Sequence, residues 1–333
     1  MKKIYYLLII IVTIVLYYPV FNAGYVWDDN LLFVEKVKLV NEPLSWRILT
    51  EPVLPDTTYF RPLIFLTMYI EFHLFGQNPI SSHIINLLIL IFNTYLVSAI
   101  TYKILLIKKY KNEIFLSLLA GLIYVVNPIL VEATAWISGR FDLLVTTFSL
   151  LGIYFFIQIK QNTWRNSLNI SVCFLLALFS KELGIILPLL LFFMYMFFNV
   201  STEKSYLQNI KDFIADYYKL IFSIFLTFIL YLLLRIQAMG DIYHQALDSE
   251  YLKLAYLQEY LPIHSLFFYI KQFVLPFSEL TPLLPYEHLN DNPYSVVFKI
   301  LIIILVFSIL ILGLIKKNKY VWLVFSILLT IFL

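Results

Sequence analysis

Long apolar blocks separated by shorter polar stretches run through the whole chain. A helix needs roughly 18 apolar residues to cross about 30 Å of hydrocarbon. Eight blocks qualify as spans, at 4–22, 83–106, 114–130, 142–158, 166–181, 183–199, 219–235 and 296–315, and a ninth, 320–333, is cut short by the end of the chain. The pattern predicts an all-α polytopic membrane protein, a bundle of about 8–9 transmembrane helices. A further apolar stretch at 263–277 is too short to span comfortably and ends at Pro276, so an interfacial or re-entrant helix is expected there. No period of about 20 to 50 residues recurs, which removes solenoids and propellers.

The polar stretches sort by charge. The first span follows Met1-Lys2-Lys3 without a small-residue cleavage site, which reads as an uncleaved signal anchor with a cytoplasmic N-terminus. Alternating from there, the cytoplasmic segments are Lys2-Lys3, Lys108-Lys109-Tyr110-Lys111, Lys160 to Arg165, 200–218 and Lys316 to Lys319, each short and basic. The other side receives two long segments, 23–80 and 236–295, and short turns around 131–141 and 181–182. All but four of the 21 acidic residues fall there or at its edge; the exceptions are Glu113, Glu203, Asp212 and Asp216. Acidic residues do not set topology, so this concentration asks for a chemical reason.

Composition agrees with the pattern. Of the 333 residues 61% are hydrophobic and 14% charged, against about 45–50% and about 25% in soluble domains. The 30 Phe and 25 Tyr suit a lipid-facing surface with aromatic belts. A net charge of +3, sorted by side, signals topology and gives no support for nucleic-acid binding. The lone Cys173 leaves neither a disulfide framework nor a thiolate metal site.

Candidate chemistry lies on the acidic side. Asp28 and Asp29, in Gly24-Tyr-Val-Trp-Asp-Asp-Asn30, place two adjacent carboxylates just past the first span, suited to a general base, a metal ligand or merely a solvated cap. Arg61 precedes Pro62 and an apolar stretch, where a cation also snorkels to the interface. The hairpin Asn127-Pro-Ile-Leu-Val-Glu132-Ala-Thr-Ala-Trp136-Ile-Ser138-Gly139-Arg140-Phe-Asp142 carries Glu132, Arg140 and Asp142 near membrane depth. Ionisable groups there are expensive unless paired or facing a polar cavity, so they are functional candidates, with an Arg140–Asp142 or Arg140–Glu132 ion pair as the structural alternative. Ser180-Lys181-Glu182-Leu-Gly184 is a second charged turn. His83, Asn86 and Asn93 share one helical face, where packing by hydrogen bonds explains them as well as substrate contact does. His73, His244, His264 and His288 are scattered without metal spacing. Walker, Gly-x-Gly-x-x-Gly, Gly-x-Ser-x-Gly and His-Glu-x-x-His motifs are missing from the sequence.

Together, Asp28-Asp29, Arg61-Pro62-Leu63, His83-x-x-Asn86, the 127–144 hairpin and Ser180-Lys181-Glu182 resemble those of the GT-C-fold glycosyltransferases. The resemblance is closest to the transmembrane and tetratricopeptide-repeat O-mannosyltransferases and their bacterial relatives, and it extends to Leu232-Leu-Leu-Arg235 and Phe268 to Ser278. It implies a single GT-C-like transmembrane domain over 1–333. It further implies transfer of a mannose-like hexose from a polyprenyl-phosphate-sugar to an acceptor hydroxyl, on protein, at the non-cytoplasmic face. Carried onto this sequence, Asp28 or Asp29 is the base, and Arg140, Lys181 and Arg61 are donor-phosphate partners. Glu132, Asp142, Glu182 and His83 take supporting places.

The chemistry of the residues agrees with that implication. A lipid-linked donor presents its phosphate at the interface, where cations on short turns can hold it, while a carboxylate takes the acceptor's proton. A metal is optional, since Arg and Lys can hold the leaving group; the paired Asp would suit Mg2+ or Mn2+. Low Gly with abundant Ile, Lys, Asn and Tyr suggests an AT-rich bacterium, hence a multi-pass protein of the bacterial cytoplasmic membrane with its active site outside, although an endoplasmic-reticulum location fits the same topology. The chain stops at Leu333 inside an apolar run, as a fragment would. The rival readings are a membrane carrier or flippase for a lipid-linked or envelope substrate, and a non-catalytic partner of an envelope complex.

Overall fold

The computed structural model describes residues 3–35, 45, 59–240, 260–275 and 293–332. Much of the two long segments, with His244, Pro276, Ser278 and His288, lies outside the described residues. Every regular element among the described residues is helical. They form α1 (Lys3–Tyr17), α2 (Pro62–Phe75), α3 (Pro79–Ile107), α4 (Glu113–Val125), α5 (Leu130–Ala135), α6 (Arg140–Ile157), α7 (Trp164–Ser180), α8 (Leu187–Asn199), α9 (Tyr206–Met239), α10 (Leu261–Val274), α11 (Pro293–Ile315) and α12 (Tyr320–Phe332). Short 3-10 turns cover Tyr18–Asn22, Ile137–Gly139 and Glu182–Ile186, and a π turn covers Asn30–Glu35.

Among the described residues six stretches are long and apolar enough to cross a membrane: Tyr5–Asn22, Pro79–Ile107, Ile137–Ile157, Glu182–Asn199, Tyr206–Met239 and Tyr294–Ile315. The expected spans at 114–130, 166–181 and 320–333 fall on helices of 13, 17 and 13 residues. For the first of these the reason is local. Asn127-Pro128 ends the apolar run, because the ring of Pro128 disfavours helical backbone before it. The stretch at 263–277, expected as an interfacial or re-entrant helix, falls on α10, which has Pro262 in its first turn and ends at Val274.

The chain divides into two compact units, Met1–Pro188 with Asp216–Ile242, and Leu189–Ala215 with Tyr243–Leu333. In the first, α6 packs against α3 and α7, and α1 lies on α3 and α4. Tyr17, Leu87, Leu90, Val125 and Leu143 form one buried apolar cluster, and Leu32, Ile64, Met68, Phe141 and Leu144 another. The second cluster seats α2 on the start of α6. In the second unit α10 packs on α11, and Leu310 and Val321 join α11 to α12. Much of the outside of α9 and α11 is apolar, with Leu226, Leu233, Leu301 and Ile304 among the exposed residues. A surface of that kind belongs in a bilayer.

Candidate functional site in the first unit

Helix α3 carries the polar stripe that positions the site. Ser82, His83, Asn86, Asn93 and Thr94 are all buried on its inward face. The Asn93 amide donates to the Leu143 carbonyl at 2.9 Å, and its oxygen accepts from Thr147 at 2.7 Å. Asn86 donates to the carbonyls of Trp136 and Ile137 at 3.3 and 3.1 Å. These two asparagines therefore fasten α3 to α6 and to the hairpin before it, the packing role weighed for them above. The hairpin needs its glycine, since a Cβ on Gly139 would come within 2.6 Å of the Ala133 carbonyl oxygen.

Arg140, only 1% exposed, points from the start of α6 into this network. Its Nε donates to Asn86 Oδ1 at 2.9 Å and its Nη2 to the Ser82 carbonyl at 3.3 Å. Its charge is met at 2.6 Å by Glu71 of α2, a contact of charges more than an aligned hydrogen bond. The ion pair thus joins α2 to α6 and is neither of the two considered from sequence. Glu71 also accepts from the hydroxyls of Ser81 and Ser82. Sequence reasoning passed over Glu71, although a lone acid within the apolar helix Pro62–Phe75 is a signal of its own.

The same network holds the first-loop acids. Asp29 is fully buried and accepts from the Ser138 backbone N–H at 2.7 Å and from the Ser138 hydroxyl, while its second oxygen accepts from the Val26 N–H at 3.1 Å. Trp27, at φ 47°, turns the loop and sets its ring edge-on to Trp136 at 5.9 Å. Asp28 is half-buried and makes no hydrogen bond or ion pair among the described residues. His83 is buried beside Asp29, Glu71 and Arg140, with the Ala23 carbonyl alongside. Burial, and then the Glu71 carboxylate, push the Tyr25 phenol up to about 12, so it stays neutral.

Around this closed core lie two more open clusters. Lys181 Nζ pairs with Asp142 at 2.5 Å, both partly exposed. Burial, and then the Asp142 carboxylate, raise Glu132 above the usual carboxylate range against the opposing pull of Lys181. In the second cluster Glu182 accepts from Arg61 Nη2 and Nε at 3.0 and 3.3 Å, and from Arg235 Nη1 at 3.4 Å. Arg61 lies between the rings of Tyr59 and Phe141, 4.4 and 4.5 Å from their centroids. Gly184 lets this turn sit against α7, because a Cβ there would come within 2.6 Å of the Ala177 backbone.

All the residues singled out from sequence in the first loop, the hairpin and the Ser180-Lys181-Glu182 turn therefore gather at one end of the first unit. Asp29 Oδ1 takes both donors of Ser138 and Oδ2 takes the Val26 N–H, which leaves one lone pair of Asp29 for a metal shared with Asp28. Among the described residues no three His, Cys, Asp or Glu side chains converge as a ligand set. No protein-family model, curated protein or solved structure matches the chain.

Proposed function

We propose that the protein is a GT-C-type glycosyltransferase with a bundle of about 8–9 spans, moving a mannose-like hexose from a polyprenyl-phosphate-sugar to an acceptor hydroxyl, on protein, at the non-cytoplasmic face of the bacterial cytoplasmic membrane. The observation that carries the reading is the bond from Asp29 to Ser138. It ties the first-loop acids to the 127–144 hairpin at the end of the unit where Arg61, Lys181 and Glu182 also lie.

In this reading Asp28 is the base. Asp29 is fully buried, takes three hydrogen bonds and holds its neighbour in place, whereas the half-buried Asp28 is left to an incoming hydroxyl. The hydroxyl oxygen attacks the anomeric carbon as its proton passes to Asp28. The bond from that carbon to the phosphate oxygen breaks, and polyprenyl phosphate leaves with the electron pair. Lys181, partly open, and the largely buried Arg61 meet the phosphate. Arg140, closed in by Glu71 and Asn86, acts by holding the hairpin.

The test is transfer by purified protein in lipid, offered a polyprenyl-phosphate-hexose or the corresponding nucleotide-sugar with peptide and sugar acceptors. Transfer from the lipid-linked donor, lost in Asp28→Asn, is expected. Transfer from the nucleotide-sugar without a polyprenyl carrier would defeat the reading.

A further inference from the structure

Val26, Trp27, Asp28 and Asp29 form a tight turn closed at both ends. The Asp29 N–H donates to the Val26 carbonyl at 2.9 Å, and the Val26 N–H donates back to the Asp29 carboxylate at 3.1 Å. Asp29 is in turn bound to Ser138, so the base of the turn is fixed to the hairpin. Its two central residues, Trp27 and Asp28, project together from that base. Trp27 stands at φ 47°, in the left-handed region that turns ordinarily give to Gly, Asn or Asp. Its ring is 59% exposed and is braced by the near-perpendicular ring of Trp136. Trp136 is itself held to the closed core, because its carbonyl accepts from Asn86. A belt aromatic gains nothing from such backbone, since a ring reaches the interface equally well from a relaxed position. The strain instead sets a flat apolar face beside the carboxylate read above as the base.

The surroundings of Asp28 favour one kind of visitor. The exposed side chains near it in the chain are Val26, Trp27, Asn30 and Leu31, three of them apolar. A sugar ring asks for hydrogen-bond partners around all its hydroxyls, and of these four only Asn30 offers one. An extended polypeptide asks for an apolar contact and an amide to pair with its backbone, which Trp27 and Asn30 supply.

We propose that Trp27 selects the acceptor: its ring is a shelf for a proline or aromatic side chain within two residues of the Ser or Thr whose hydroxyl meets Asp28. The inference rests on the transferase reading for the role of Asp28 and adds to it the class of polypeptide taken. The stacking is made as fully in the bound acceptor as in the transition state, so its loss shows in KM more than in kcat.

Two peptides identical but for the residues flanking one Thr, Pro-Thr-Pro against Ala-Thr-Ala, are titrated calorimetrically into the full chain in phosphatidylcholine nanodiscs. Both are also offered as acceptors with mannosyl farnesyl phosphate. The proline-flanked peptide binds about threefold or more tighter, and its KM is lower by a similar factor. Trp27→Gly abolishes the difference, and Trp27→Phe keeps most of it. Glycine adopts φ 47° without strain, so that variant keeps the fold, which its melting temperature checks. Trp27→Asn, also at ease at positive φ, is the second variant should the first melt early.

A difference that survives in Trp27→Gly, or a wild-type protein that binds the two peptides alike or neither, overturns the shelf. A mannose disaccharide that binds with the same dependence on Trp27 overturns the choice of polypeptide. Preference in binding by a protein that transfers no mannose keeps the shelf and removes the transferase. Transfer to both peptides with equal KM does the reverse.

Discussion

Two ionic clusters at the same end of the first unit contain the same kinds of residue and are built to different ends. Around Arg140 every charge is buried: Glu71 is 4% exposed and Asp29 not at all, and each oxygen meets a donor or a cation. Around Arg61 and Lys181 the acids Glu182 and Asp142 keep 35% and 40% of their side chains in solvent. A closed pair cannot trade partners without stranding a buried charge, so it holds helices in register. An open pair exchanges one anion for another at little cost. Burial, more than residue type, separates scaffold from candidate site.

The largest effect is expected from opening the closed cluster. Glu71→Ala should destabilise the protein by about 3–5 kcal/mol, because Arg140 is left without its counter-charge. Adding Arg140→Met should restore part of that loss, and unfolding in mixed micelles would measure both. A double variant no more stable than the single would show that the two side chains do not act as a pair.

Next comes the split between neighbouring acids. Asp28→Asn should lower turnover by about 10²–10⁴-fold with stability changed by less than about 0.5 kcal/mol. Asp29→Asn should cost about 1–3 kcal/mol of stability through its bonds to Ser138 and Val26. Equal effects of the two on turnover and stability would erase the distinction between base and anchor. At the open side, Lys181→Ala should cost at most about 1 kcal/mol, because its partner Asp142 returns to water. A loss as large as that of Glu71→Ala would break the comparison.

The smallest effect is a pH dependence at Glu132. Its raised pKa means the folded protein holds that proton more tightly than the unfolded chain. The contribution to stability is therefore full at low pH and is lost as pH rises from the ordinary glutamate range through the raised value. Melting temperature followed across that window should fall more in the wild type than in Glu132→Gln. Parallel curves would count against a perturbed Glu132.

Much of the frame was legible because hydrophobic length is a local property. Six of the expected spans fall on helices long and apolar enough to cross a membrane, and Asn127-Pro128 marks the end of α4. Charges set in apolar surroundings were legible as well, since their isolation is itself improbable. Glu71 escaped notice because the stretch from 23 to 80 read as one external segment, hiding α2 and the acid within it.

The helical membrane character and the shortlist of costly residues follow from transfer free energy summed over neighbours in the chain, and so were readable without the fold. Pairing came only with packing: Arg140 with Glu71 in place of Asp142 or Glu132, Asp29 with Ser138, and both Arg61 and Arg235 with Glu182. Those pairs lie 69, 109, 121 and 53 residues apart. No local spacing encodes them, because they depend on which helix ends come together when apolar faces pack.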